Sequence, residues 1–134
     1  MTYLHEEQTT FTLSAGAPRA ARRWLHATGI VPAELADAVD LVVSELVTNS
    51  VTHSGLAAPN VVSVHVASFP GGIAGEVIDT GRGMGDEPSR TAPSMGLRLV
   101  DGTVSRWGHT DHPTRVWFEL TITHRGSASR RRAA

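Results

Sequence analysis

Residues 61–79 read VVSVHVASFPGGIAGEVID, two runs rich in Val and Ile on either side of a Pro-Gly-Gly. β-Branched side chains suit a pleated, half-buried surface, and Pro-Gly-Gly is a turn signal. The stretch is expected to form an antiparallel hairpin, and a hairpin with one apolar face needs a second layer to cover it. Its neighbours supply that layer and more strands. Residues 3–13, rich in Thr and aromatics, read as a strand. Pro18 suits a first helical turn, and the helix it opens ends at Gly29. From Pro32 onward Leu35, Val39, Val42, Val43 and Leu46 recur at helical spacing, so a long helix is expected as far as His53. Residues 80–93, TGRGMGDEPSRTAP, follow neither period and should form a mobile loop. A third helix should open at Ser94, and residues 105–123 read as two strands around a turn at 111–113. In the last strand Val116, Phe118, Leu120 and Ile122 alternate with Trp117, Glu119 and Thr121, so the first set should be buried. This order of elements implies an α+β fold: a two-layer α/β sandwich, its sheet mostly antiparallel and mixed, with helices on one face.

Composition removes several functions. The 134 residues suit one domain, with residues 1–124 as its body. There is no cysteine, so disulfides, Cys-ligated zinc and a Cys nucleophile are excluded. All twelve basic residues are arginines. Without lysine, Walker-type phosphate binding and Schiff-base chemistry are excluded as well. A formal net charge of −1 gives the domain no overall pull toward nucleic acid or acidic lipid. Arg125, Arg130, Arg131 and Arg132 crowd residues 125–134, expected to be a disordered, solvated tail; a nucleic-acid arm is the rival reading. No apolar run approaches the roughly 20 residues of a membrane span. The opening MTYLHEEQTT lacks the regions of a secretory signal, so a cytoplasmic location is expected.

Three polar motifs interrupt the apolar pattern. In SELVTNSVTHS, residues 44–54, Glu45, Asn49 and His53 stand at i, i+4 and i+8 and drift along the edge of the helix's apolar stripe. Half-buried polar groups at a core edge need partners, although a polar helix boundary would also explain them. In DTGRGMG, residues 79–85, the carboxylate of Asp79 ends an apolar strand and close glycines follow. Such a carboxylate can accept from an exocyclic amine, and glycines let backbone N–H groups approach a ligand; a Gly-rich hairpin turn is the bland alternative. In SMGLRLV, residues 94–100, Gly96 and Leu97 open a helix after the loop. Its unpaired N–H groups and dipole would suit phosphate, though a Ser cap on an ordinary helix accounts for the same residues. A fourth cluster, His109, Asp111 and His112 in one turn, has metal-ligating chemistry but is expected to be a solvated turn.

In this order and spacing the first three motifs resemble those of the GHKL superfamily of ATP-binding domains, which includes gyrase and the sensor histidine kinases. ELVTNSVTHS is similar to the N box, DTGRGMG to the first glycine box, SMGLRLVD to the second, and TRVWFEL to the strand that follows. Within the superfamily the chain looks most like the bacterial anti-sigma-factor serine/threonine kinases. The resemblance implies a Bergerat-type fold that binds ATP with Mg²⁺. Asn49 would be the Mg²⁺ ligand, and Glu45 would orient or deprotonate the attacking hydroxyl. Asp79 would accept from the adenine amine, with Gly81, Gly83 and Met84 shaping the pocket and either Thr114 or its neighbour Arg115 close to the base, Thr114 being preferred. Gly96 and Leu97 would meet the phosphates, and residues 80–93 would be the ATP lid; Ser94 stands where the second box usually begins with glycine. The implied partners are a sigma factor and an anti-anti-sigma antagonist of the STAS type, with homodimerisation an expectation from the related kinases. The rival reading is a non-catalytic module whose nucleotide sets a surface that a partner reads. In either case Arg19, Arg22 and Arg23 on the first helix would suit an acidic partner.

Overall fold

The chain folds as five strands and three α-helices in a computed structural model that describes residues 2–81, 95–111 and 113–122. Strand β1 (His5–Thr12) leads to helix α1 (Ala17–Thr28). Pro18 lies in the first turn of α1, and Gly29 ends it with a left-handed φ of 66°, which a side chain would resist. The long helix expected from Pro32 instead begins as a 3₁₀ turn (Ala33–Leu35) and becomes α2 only over Ala36–His53. Pro32 itself is extended, with ψ at 141°, and serves as the cap of that turn. Strands β2 (Val61–Phe69) and β3 (Gly72–Asp79) form the hairpin, turning through Gly71 at a φ of 87°. Helix α3 (Met95–Thr103) precedes strands β4 (Arg106–Thr110) and β5 (Thr114–Thr121).

The strand order is β1-β2-β3-β5-β4. All four pairings are antiparallel, so among the described residues the expected parallel component of a mixed sheet is not seen. Alternation sets the faces: Val62, Val64, Val66, Ile73, Val77, Val116, Phe118 and Leu120 are buried beneath the helices. The opposite face carries polar contacts, including a hydrogen bond between His65 and Glu6 at 2.9 Å and an ion pair of Arg115 with Glu76. Ile122 does not join the buried row as its alternation suggested; it lies past the end of β5 and is 45% exposed.

Helix α2 occupies the middle of the helical layer, with α1 packed on one side and α3 on the other. Its stripe of Val39, Val42, Val43, Leu46 and Val47 is closed off from solvent. At about 1.5–3 kcal/mol for each fully buried aliphatic side chain, that stripe is a principal source of cohesion between the layers. The expected arginine tail, residues 125–134, falls outside the described residues. Among the described residues no helix is long and apolar enough to cross a membrane.

Candidate functional site

The C-terminal half of α2 changes character. Glu45 and Asn49, one turn apart, are half-buried beside the stripe, while Ser50 and Ser54 are buried outright. Neither the Glu45 nor the Asn49 side chain makes a hydrogen bond or ion pair among the described residues. A half-buried carboxylate and amide so placed fit a polar or cationic ligand better than they fit a core boundary. His53, the last residue of the helix, is exposed. Ser54 caps the end: its Oγ accepts the Leu56 N–H at 3.0 Å, and the chain turns at Gly55 with a φ of 79°.

Asp79 closes β3 and is 4% exposed. Its Oδ1 accepts the backbone N–H of Gly81 at 2.8 Å, a short-range bond that turns the chain away from the sheet. In the register of β3 with β5, Asp79 stands opposite Thr114. Both continue the buried rows of their strands, so both side chains face the helical layer; directly opposed residues bring their Cβ atoms to about 4.5–5.5 Å. Thr114 is 8% exposed, and its Oγ1 has no hydrogen-bond partner among the described residues. Leaving a buried hydroxyl unpaired costs about 1–3 kcal/mol, so a native site that does so calls for a ligand atom or water there. A carboxylate beside a hydroxyl that can give or accept matches the edge of a purine bearing an amine and a ring nitrogen.

One glycine joins these two parts. A Cβ at Gly81 would overlap the carbonyl oxygen, Cα and Cβ of Ser54, so only glycine lets the segment leaving β3 lie against the end of α2. The motif ending in Ser54 and the motif beginning with Asp79 are therefore in direct contact. The third motif comes from the other side: Gly96 and Leu97 lie in the first turn of α3, and half-buried Leu97 packs on the core that α2 shares. Gly83, Met84, Ser94 and the greater part of the anticipated lid, residues 82–93, fall outside the described residues.

One expectation from the sequence changes. The three arginines of α1 do not form one free face. Arg22 is half-buried and donates through Nη1 to Ser44 Oγ at 2.8 Å, tying α1 to α2 next to Glu45; Arg19 and Arg23 are exposed. The 109–112 turn, expected to be solvated, begins with exposed His109 and Thr110. His109 stacks on Trp107 with ring centroids 6.4 Å apart, His112 lies outside the described residues, and no metal-ligating group of three occurs among those described. Sequence reasoning also missed Ser54 and Arg22 as parts of the site's frame. The only signal for Ser54 was its place at the end of the SELVTNSVTHS run.

Comparison with known proteins converges on one fold. No curated protein matches the chain. Among solved structures it is similar to the RsbU and RsbW domains of Rv1364c from Mycobacterium tuberculosis, with a TM-score of 0.64 and 20% identity. That match takes in 97% of this chain but 35% of the other, so the chain spans about a third of the length of that structure. The family model for the histidine kinase-like ATPase domain matches residues 9–122, from within β1 to just past β5. Those bounds enclose Glu45, Asn49, Asp79, Gly81, Gly96, Leu97 and Thr114, and the chain belongs to the histidine kinase-like ATPase family.

Proposed function

We propose that this domain is a regulatory Mg-ATP-binding protein that transfers the γ-phosphoryl group of ATP to a Ser or Thr of a small antagonist protein. ATP binding follows from family membership. The observation that carries the site assignment is the buried Thr114 Oγ1, without a hydrogen-bond partner among the described residues, opposite the buried Asp79. Asp79 would accept the adenine amine and Thr114 would bond the neighbouring ring edge. Guanine presents a carbonyl where adenine has its amine, which would face the Asp79 carboxylate oxygen to oxygen.

Asn49 would be the protein's ligand to Mg²⁺, a hard cation that takes oxygen ligands and keeps several waters, so a single amide oxygen is enough. The metal's contribution would be to neutralise charge on the phosphate oxygens. Glu45, one turn earlier on α2, is far enough along the helix to act on an incoming hydroxyl without displacing that ligand. It would hold the hydroxyl by accepting its hydrogen bond and take its proton as the oxygen attacks the γ-phosphorus, whose bond to the β,γ-bridging oxygen breaks to release ADP. The first turn of α3 would present backbone N–H groups to the phosphates. A sigma factor and a STAS-type antagonist as partners, and a homodimer as the working form, are supported by the motif resemblance to anti-sigma-factor kinases. Arg19 and Arg23 remain the exposed cations of α1 for an acidic partner.

The experiment is incubation with γ-labelled ATP and candidate antagonist proteins, alongside pull-downs with ATP, ADP or no nucleotide. A labelled antagonist establishes the kinase. A partner held only in the presence of nucleotide but never labelled would instead establish the non-catalytic module. Partner binding indifferent to nucleotide would contradict both.

A further inference from the structure

We propose that Asp101 of α3 and Trp107 of β4 form a latch that sets the tilt of α3, and through it the fit of the phosphate half of the bound nucleotide. The inference rests on the nucleotide reading above. Trp107 lies in the buried row of the sheet, 8% exposed and opposite Phe118. Its indole Nε1–H donates to Asp101 Oδ1 at 2.9 Å.

Asp101 is badly placed for the helix alone. It sits third from the end of α3, where the helix dipole disfavours a carboxylate, and aspartate is a poor helix former. What it gains is a hydrogen bond from a buried donor to a charged acceptor, a strong kind. Apolar side chains also seat the helix. Val100 and Val104 are completely or almost completely buried, and such contacts fix the depth of a helix better than its angle. The chain leaving α3 is also stapled down. Ser105 donates its N–H to the Glu119 carbonyl at 2.9 Å, and its Oγ accepts the Thr121 N–H at 3.1 Å. The C-terminal half of α3 is therefore held by the Asp101–Trp107 bond and by the Ser105 bonds just beyond the helix, and its first turn follows as a rigid lever.

The lever is short enough to matter. Gly96 precedes Asp101 by five residues, roughly 7.5 Å of helix, so a tilt of about 10° at Asp101 displaces the first turn by about 1 Å. Hydrogen bonds from N–H to oxygen tolerate only a few tenths of an ångström around their preferred length. Loss of the latch should therefore be felt at the phosphates and not at the base, which is held by residues of β3 and β5. Asp101 and Trp107 are positioning residues in this account; neither touches the nucleotide.

The test uses the full chain with Trp107→Phe, Asp101→Ala and Asp101→Asn, measuring affinity for ATP, ADP and adenosine by calorimetry and recording thermal unfolding for each variant. Trp107→Phe and Asp101→Ala should weaken ATP and ADP by about tenfold while adenosine stays within about twofold. Asp101→Asn keeps an oxygen that can accept the indole proton and should recover most of the loss. If Asp101→Ala does not fold, the other two variants still decide the matter. Parallel losses for ATP and adenosine, or a lowered Tm with unchanged ATP affinity, would overturn the latch and leave a bond that merely satisfies a buried indole. Failure of the unaltered protein to bind any adenine nucleotide would overturn the nucleotide reading and the latch with it, a result distinct from normal ATP binding by all three variants.

Discussion

Helix α2 is two different objects along its length. In its first half Val39, Val42 and Val43 are fully buried, and its polar residues face outward or make short ties such as Asp40 with His26 at 2.7 Å. In its second half the stripe continues through Leu46 and Val47, but it is bordered by half-buried Glu45 and Asn49 and gives way to buried Ser50 and Ser54. The first half can be explained by packing alone. Packing cannot explain the second, where polar groups are drawn from solvent without protein partners for Glu45 and Asn49 among the described residues. One helix thus anchors the core with one end and, in the proposed site, would carry the metal ligand and the base at the other, held in place by the rigid first half.

Mutations should separate the two halves. The largest effect belongs to the polar half and should appear in activity rather than stability. Glu45→Ala should lower the rate of phosphoryl transfer by about 10²–10⁴-fold, the usual worth of a general base, with ATP affinity and Tm nearly unchanged. Its neighbour should behave differently: Asn49→Ala should weaken Mg-nucleotide binding itself. Titrations with and without Mg²⁺ check both. A Glu45→Ala protein that no longer bound ATP would make that carboxylate structural.

On the packing side, Leu25 of α1 is 1% exposed in the core shared with the first half of α2. Leu25→Ala should cost about 2–5 kcal/mol of stability, read by denaturant unfolding, while the folded fraction binds nucleotide normally. Gly81→Ala tests the contact between the two motifs. Its Cβ would meet the Ser54 backbone, which cannot swing aside as a side-chain tip could, so a loss of about 1–3 kcal/mol is expected together with weaker nucleotide binding. The smallest effect is the most diagnostic in sign. Thr114→Val replaces the orphaned hydroxyl with a methyl group of similar shape. The free protein should be unchanged or stabilised by up to about 1 kcal/mol, while ATP binds about tenfold more weakly. A drop in stability with unchanged ATP affinity would mean that Thr114 Oγ1 has a structural partner.

Most of the architecture was legible because it depends on local periodicity. The β2–β3 hairpin, the burial of Val116, Phe118 and Leu120, and the termination of α1 at Gly29 all follow from alternation or from a single backbone preference. The exceptions lie at ends, where periodicity carries least information: Pro32 begins a 3₁₀ turn rather than α2, and Ile122 falls beyond its strand. The site was legible in part. Asp79, Gly81 and Thr114 were marked by motif, and the register places the first and last side by side. Contacts between distant segments leave no local pattern. Nothing near Arg22 indicates that it will donate to Ser44, and nothing near Ser54 indicates that Gly81 will rest on it. Those contacts become visible only once the helices and the sheet are assembled.

In the proposed function, the polar half of α2 and the Asp79–Thr114 pair together form an adenine-nucleotide site. Calorimetric titration of the unaltered protein and of Asp79→Asn with ATP and with GTP, each in Mg²⁺, tests it most directly. The unaltered protein should bind ATP well and GTP poorly, and Asp79→Asn should lose most of its ATP affinity, because the Gly81 N–H holds the one remaining amide oxygen and leaves an NH₂ facing the adenine amine. Equal affinity for ATP and GTP, or ATP binding untouched by Asp79→Asn, would contradict it.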